Sequence, residues 1–283
     1  PRGRLPQAHG PEFGGLMGLV RLPSPRGAFR VWQRNATIFR KYWKTIMLPN
    51  LFEPLLYLTA LGLGLGAFIR EGGMDGLTYT QYIAPGLLAS NAMFAASFES
   101  TFNTFIRLKI GRIYDAIVST PVNAEDIVAG EYLWAGTRAA LYGTAFLGVL
   151  TVLGFVLSPE ALLISSPWAL LIPPVLLIIG VMFSVMGTLF TSLIGSIDLY
   201  SYYFTLVVTP LFLFSGIFFP IKDFPSPVPE IAWFTPLYHA VNICRSLATG
   251  PSPGMLVDVV WVLVFTGVLA LLPIHFMRKR LIS

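Results

Sequence analysis

Charge is what this sequence has little of: Asp, Glu, Lys and Arg make up only 12% of its 283 residues. Soluble domains carry about a quarter, so there is too little polar material here to cover a surface wetted on all sides. Cysteine is rarer still. The single Cys244 excludes an intramolecular disulfide and a cysteine metal cage, and leaves the redox compartment unread. Three histidines, His9, His239 and His275, have no metal-ligand spacing. There is no G-x-x-x-x-G-K followed by Ser or Thr, so the chain cannot cradle ATP phosphates by that route. No Ser–His–acid set or paired carboxylates point to hydrolytic chemistry.

Apolar residues take the place of charge, at 55% of the chain and a mean hydropathy of +0.70. They come in runs of about twenty or more, the length a helix needs to cross a bilayer. Six membrane segments are expected, near 46–69, 82–106, 127–156, 168–194, 199–219 and 255–277. At 1.5 Å per residue each spans roughly 30–45 Å, enough for a hydrocarbon core of about 30 Å. Pro173, Pro174 and Pro210 fall inside the fourth and fifth segments and imply a kink, or a start at the Pro pair. Residues 1–16 lack periodicity and read as a vector-derived or processed leader, with Met17 the expected native start. Residues 17–283 read as a single transmembrane domain, and no cleavable signal peptide is evident from Met17 to Thr45.

Basic residues set the orientation. Arg21, Arg26, Arg30, Arg34, Arg40, Lys41 and Lys44 precede the first span, Arg107, Lys109 and Arg112 follow the second, and Arg278, Lys279 and Arg280 follow the sixth. The opposite loops hold only Arg70, Lys222 and Arg245. This asymmetry, and the net charge of +5, fit an even number of spans with both termini cytoplasmic.

Two stretches depart from six plain spans. Residues 26–45 set Phe29, Trp32, Ile38 and Trp43 among basic residues, which suits an amphipathic helix on the cytoplasmic membrane surface or a solvated leader. Residues 220–248 are proline-rich, then apolar but interrupted. They suit two short re-entrant helices over about 224–248, or a simple outer loop.

The stretch after the second span carries the most information. Ile106, Ile110, Ile113 and Ile117 recur at helical spacing, with Arg107, Lys109, Arg112 and Asp115 between them. The periodicity describes a short amphipathic cytoplasmic helix over about 107–120, ending before Pro121. Such an element either passes a push from a soluble partner to the membrane or is a passive interfacial turn. Asn123 and Asp126 make a weak cap for the third span.

Glu53, Glu99, Glu131 and Arg138 fall within or at the edge of spans. A charge at the centre of a membrane helix costs about 2.5–3.5 kcal/mol on insertion scales, so such groups face protein or water and find partners. Glu131 and Arg138, seven apart, share a helix face, and Glu99 lies at a depth comparable with Arg138 on an antiparallel helix. The expectation is an internal Glu99–Arg138 or Glu131–Arg138 pair that fixes packing, or a polar lining for an amphiphilic substrate. Gly62, Gly64 and Gly66 sit at the outer end of an apolar run and read as close helix packing, not a dinucleotide fingerprint. The Asn35-Ala-Thr37 sequon lies on the cytoplasmic side, where glycosylation does not occur. His239 reads as a substrate contact or an interfacial structural group.

Four stretches carry a resemblance to a known family: Phe52-Glu-Pro-Leu-Leu-Tyr-Leu-Thr-Ala-Leu-Gly62 with Gly64 and Gly66; Tyr82-Ile-Ala-Pro-Gly-Leu87 leading to Phe98-Glu99; Asp115-Ala-Ile-Val-Ser-Thr-Pro121 through Gly130-Glu131-Tyr-Leu-Trp-Ala135 and Thr137-Arg138; and Phe214-Ser-Gly-Ile-Phe-Phe-Pro220 with Pro236-Leu-Tyr-His239 and Arg245. From about Trp32 onward the chain resembles the ABC-2 type permeases, especially the nodulation-factor (lipo-oligosaccharide) exporter branch. Related drug-resistance permeases share much of the pattern.

The resemblance implies an all-α membrane protein like the type V exporters. Its parts would be an N-terminal interfacial helix, six transmembrane helices, a cytoplasmic coupling helix and re-entrant helices before the last span. It implies two copies of the chain working with two ABC ATPase subunits in a bacterial cytoplasmic (inner) membrane. ATP and Mg would be held by the partner, with no cofactor or nucleic acid in this chain. Arg107, Lys109, Arg112, Tyr114 and Asp115 would form the ATPase contact. Glu99, Glu131 and Arg138 would pair or line the substrate path, and His239 and Arg245 would lie in the outer re-entrant segment. The cargo implied is a lipo-oligosaccharide, lipid-linked glycan or similar amphiphile, moved outward between the two copies among membrane lipids. Export of a hydrophobic drug or another lipid is the neighbouring alternative. A secondary transporter would show internal repeats and midplane carboxylates, whereas the span acids here lie mostly toward the cytoplasmic ends.

Overall fold

The computed structural model describes residues 22–66, 68–69, 74, 76–157 and 164–282. The leader, Met17, Arg21 and Arg70 lie outside the described residues. Helix α1, Pro25–Thr59, runs on without a break as a π-helix over Ala60–Leu65. The amphipathic stretch at 26–45 and the first apolar span are therefore one element, not an interfacial helix followed by a separate span. Pro49 and Pro54 lie inside it, and the ladder survives because polar side chains stand in at the break. The Asn50 carbonyl, whose partner N–H is missing at Pro54, accepts Nδ2 of Asn91 at 3.4 Å. Asn50 Nδ2 in turn donates to the Ile46 carbonyl at 2.8 Å. At the N-terminus Ser24 caps Gly27 N at 3.1 Å and gives its own N–H and hydroxyl to Asp126.

Helix α2, Tyr79–Phe98, opens on a Thr78/Gln81 capping box and continues through π-helical turns at Glu99–Asn103 and Ile106–Ile110. The chain then turns at Gly111 and Arg112, whose φ is 44°, into the short helix α3, Ile113–Val118. The expected single helix over 107–120 is thus broken. Its isoleucine spacing continues across the break, but glycine resists helix and the left-handed Arg112 ends the ladder.

Helix α4 covers Ala124–Leu157, and α5, Ile172–Leu193, follows a 3₁₀ turn at Pro167–Leu171. Pro173 and Pro174 sit in the first turn of α5, where N–H groups have no helical partner to lose. The next helical run, Ile197–Leu213, includes α6 (Tyr200–Tyr203), a π turn (Phe204–Val208) and α7 (Thr209–Leu213). It stops six residues short of the expected end at Phe219, because Gly216 adopts a φ of 78° that turns the chain. Two short helices follow, α8 (Val228–Trp233) and α9 (Pro236–Thr249), and α10 (Met255–Ile282) closes the chain.

Helix α4 is the hub, packed against α1, α2, α5 and α10. Small residues permit the closest approaches. A Cβ added at Gly180 of α5 would lie 2.9 Å from the Gly136 Cα of α4, and one added at Gly130 would lie 2.6 Å from Val31 of α1. Among the described residues three helical stretches are long and apolar enough to cross a membrane by themselves: Ala124–Phe155, Pro167–Leu193 and Met255–Leu281. Helix α10 leaves Leu256, Val260, Val264, Val268 and Leu272 exposed, an apolar face suited to hydrocarbon.

The α4–α5 crossing should not tolerate bulk. Gly180→Val is expected to cost about 1–3 kcal/mol by overpacking. Gly148→Ala, with open space around it, should leave the melting temperature in detergent unchanged or slightly raised. Thermal unfolding followed by fluorescence checks both.

Candidate functional site

At one end of the bundle Glu99, Glu131 and Arg138 are buried beside the half-buried Arg107. Arg107 Nη2 stands 2.8 Å from Glu99 Oε1 and 2.7 Å from Glu131 Oε2, bridging α2 to α4. Arg138 Nη1 pairs with the other oxygen of Glu99. The sequence left the Glu99 and Glu131 pairings of Arg138 open; the structure places Arg138 on Glu99 and Arg107 on Glu131. Glu99 and Glu131 are 1% and 2% exposed, so each would be untenable as a charge without its arginine.

Neutral side chains complete the shell. Tyr114 of α3 donates its hydroxyl to Glu131 Oε1 at 3.0 Å, and Asn35 of α1 donates Nδ2 to the same oxygen at 3.1 Å. Asn103 donates to Glu99 Oε2 at 2.6 Å, and Arg138 donates to the Tyr142 hydroxyl at 2.7 Å. Burial, and then the adjacent Glu131 charge, push the Tyr114 phenol well above its ordinary range, so it remains a neutral donor. The cluster thus ties four segments, α1, α2, α3 and α4, at one point. A cleft of about 250 Å³ opens onto it, walled by Ile38, Phe39, Ile46 and Trp134.

The expected partner-contact residues divide. Lys109, Arg112 and Asp115 are exposed. Tyr114 is fully buried and Arg107 faces the cluster, so these two do not belong to an outer contact surface. Helical spacing could not separate them, because Arg107 and Tyr114 precede or follow exposed residues on the same short segment. Asn35, read in the sequence only as part of a sequon, is 3% exposed and belongs to the cluster. Tyr142 was not singled out either; its spacing of four from Arg138 was the available signal.

Farther along α1 and α2, Asn50, Glu53, Ser90 and Asn91 line one groove with Tyr57, Phe94 and Phe212. Glu53 is exposed between the exposed Phe52 and Leu56. A carboxylate in that setting requires water or a protein surface beside it rather than lipid.

At the opposite end, His239 is fully buried. Its Nε2 lies 2.6 Å from the Trp233 carbonyl and its Nδ1 2.6 Å from Asp258 Oδ1, while Trp261 stacks on the ring at 4.3 Å. Arg245 stands 3.9 Å over the Tyr82 ring and donates to the Gly216 carbonyl at 2.8 Å. That bond holds the turn that ends the Ile197–Leu213 run. Among the described residues no group of His, Cys, Asp and Glu is arranged to hold a metal ion.

Residues 27–248 match the model of the family described as ABC-2 type transporter. Nodulation protein J of Rhizobium leguminosarum bv. viciae is 34% identical over 269 residues, covering 94% of this chain and 99% of that protein. Nodulation protein J of Rhizobium leguminosarum bv. trifolii is 36% identical over 220 residues, 78% of this chain and 80% of the relative. The inner membrane transport permease YadH of Escherichia coli (strain K12) is 26% identical over 213 residues, covering 75% and 78%.

Removing one member of the charge cluster strands another. Glu99→Ala is expected to cost about 3–5 kcal/mol, and the Glu99→Gln/Arg138→Met pair should cost clearly less than the sum of its single changes. Melting temperatures of the four proteins in one detergent measure the coupling; strict additivity would mean that the charges do not act together.

Proposed function

The chain belongs to the ABC-2 type transporter family, and from that premise we propose that it is the membrane-spanning permease of an ATP-driven exporter. The observation that carries this reading is the buried cluster of Glu99, Arg107, Glu131 and Arg138, with Tyr114 of α3 locked into it. Helix α3 presents Arg112 and Asp115 outward while its inward side is tied to α2 and α4. A force applied to α3 therefore moves the two long helices with it. That is the mechanical requirement of a coupling helix, and we assign Lys109, Arg112 and Asp115 as the contact with an ATPase carried on separate chains. Hydrolysis, with ATP and Mg, belongs to those subunits, two of which would serve two copies of this chain.

We read six spans: the later part of α1, α2, α4, α5, the run Ile197–Leu213, and α10. Helices α8 and α9 are the re-entrant pair at the outer face, and both termini face the cytoplasm of an inner membrane. Residues 17–283 constitute one transmembrane domain. The exposed Glu53 groove of α1 and α2 favours a path between two copies, where water or the second copy faces the carboxylate. The resemblance to the nodulation-factor (lipo-oligosaccharide) exporter branch, alongside several relatives named nodulation protein J, supports a lipo-oligosaccharide or lipid-linked glycan as cargo, and YadH, named a transport permease, supports transport itself. An amphiphile suits a path with apolar walls and few polar stations.

Two measurements test this reading. Expressed together with its ATPase, the chain should co-purify as a complex whose export requires ATP hydrolysis; export that persists without hydrolysis contradicts it. In the complex, Arg112→Glu and Asp115→Lys should each lower cargo moved per ATP hydrolysed by about tenfold or more, the scale of like charges placed across a contact. An unchanged ratio removes α3 from the interface.

A further inference from the structure

Helix α9 is an amphipathic helix in a chain short of polar residues. Leu237, Val241, Cys244 and Ala248 are buried in the core. The other face sets Tyr238, Asn242 and Arg245 along the wall of a cleft of about 740 Å³, within the range of about 300–1,000 Å³ usual for ligand sites. Trp233 and Asp258 form the facing walls and Tyr82 the floor. The Asn242 side chain lines the cleft and is partly exposed. The walls are held in register by His239. A carbonyl can only accept, so Nε2 donates to Trp233, and Nδ1 engages Asp258, fixing α8 to the first turn of α10.

Two features choose the ligand class. First, the two charged groups in the cleft are already engaged: Asp258 with His239, and Arg245 with the Gly216 carbonyl and the Tyr82 ring. Both charged groups thus already have partners within the protein, and neutral groups make up most of the lining. Second, the aromatic rings of Tyr82, Trp233 and Tyr238 share the lining with the Asn242 amide, serine and threonine hydroxyls and the Asp258 carboxylate. Aromatic faces carry negative charge density and attract C–H faces, while amides and carboxylates bond paired hydroxyls.

We propose that this outer cleft binds the neutral sugar rings of an oligosaccharide, with Trp233 and Tyr238 stacking on pyranose faces and Asn242 and Asp258 bonding hydroxyls. This rests on the exporter reading and deepens it: the cleft is the station that receives the glycan at the outer face. His239 is a positioning residue that holds Asp258 and the Trp233 backbone.

The test uses the purified permease in lipid nanodiscs without nucleotide, with cellotetraose and the N-acetylglucosamine tetramer as probes and sorbitol as a polyol lacking ring faces. Tryptophan fluorescence and calorimetry should show saturable binding of at least one tetramer and none of sorbitol. Asn242→Leu, Trp233→Leu and Asp258→Asn should each weaken it by about tenfold or more, as loss of a well-placed contact does. Melting temperatures identify variants that fold. Asn242 and Trp233 are partly exposed, so their variants decide the matter if Asp258→Asn fails to fold. Absence of saturable binding, equal binding of sorbitol, or full affinity in the folded variants overturns the assignment. ATP-driven export measured on the matched complex separates the two claims. Export with no sugar binding rejects the cleft alone, whereas loss of export in the unaltered complex rejects the reading beneath it.

Discussion

Two carboxylates and two guanidinium groups, gathered at one end of the bundle, are the constraint on which this structure turns. Each of Glu99 and Glu131 is nearly inaccessible, and a lone charge so placed is penalised by several kcal/mol. Each is tolerable only if the arginines arrive from the right elements at the right height. Arg107 and Glu99 come from the α2 element, and Glu131 and Arg138 from α4. The cluster therefore specifies how α2 and α4 align along their axes, which lipid-like contacts between apolar faces do poorly. Asn35 and Tyr114 extend the same condition to α1 and α3. Helix α3 is only six residues long and could not hold a position by its own helical propensity. It is held by the Tyr114 phenol and by Tyr114 and Ile117 packing into the adjoining apolar cluster.

The helices that meet there are not regular. The α2 element passes through two π-helical turns, Glu99–Asn103 and Ile106–Ile110, on either side of Thr104 and Phe105. Widened turns are frequent at functional sites, and here they set the stretch of chain that carries Glu99 and Arg107. Eight positions apart, Glu99 meets Arg138 and Arg107 meets Glu131 on α4. The opposite end is arranged by the same logic with different groups. There Arg245 ties the turn at Gly216 to α2, and His239 ties α8 to α10. Between the two ends the contacts are mostly apolar, with Asn50 and Asn91 repairing the backbone at Pro54.

Much of this was legible in the sequence and some was not, for identifiable reasons. Apolar runs located the long helices because hydrophobic length is a direct consequence of bilayer thickness. The span-edge charges Glu99, Glu131 and Arg138 stood out because such residues are rare against an apolar background. Their partners were harder. Arg107 looked like one of several basic residues in a cytoplasmic segment, and its inward direction depends on the turn at Arg112, whose left-handed backbone no periodicity announces. Asn35 was hidden inside a sequon. The joining of residues 26–45 to the first span was missed because a helix that leaves the membrane surface and one that continues share the same amphipathic pattern. Asp258, which His239 holds at the outer cleft, lies in the first turn of the last helix, where an acidic residue reads as ordinary complement to the helix N-terminus.

The central claim is that the charge cluster makes α2, α3 and α4 one body, so that whatever moves α3 moves the bundle. Spin labels at Ala116 on α3 and Val152 near the C-terminal end of α4, both exposed, would report their separation by pulsed electron resonance in the complex with and without ATP. The account predicts one narrow distance, unchanged within about 2 Å, the scale of an interface helix shift, which broadens in Glu131→Gln. A distance that changes by more than this with ATP in the unaltered complex, or one indifferent to Glu131, would contradict it.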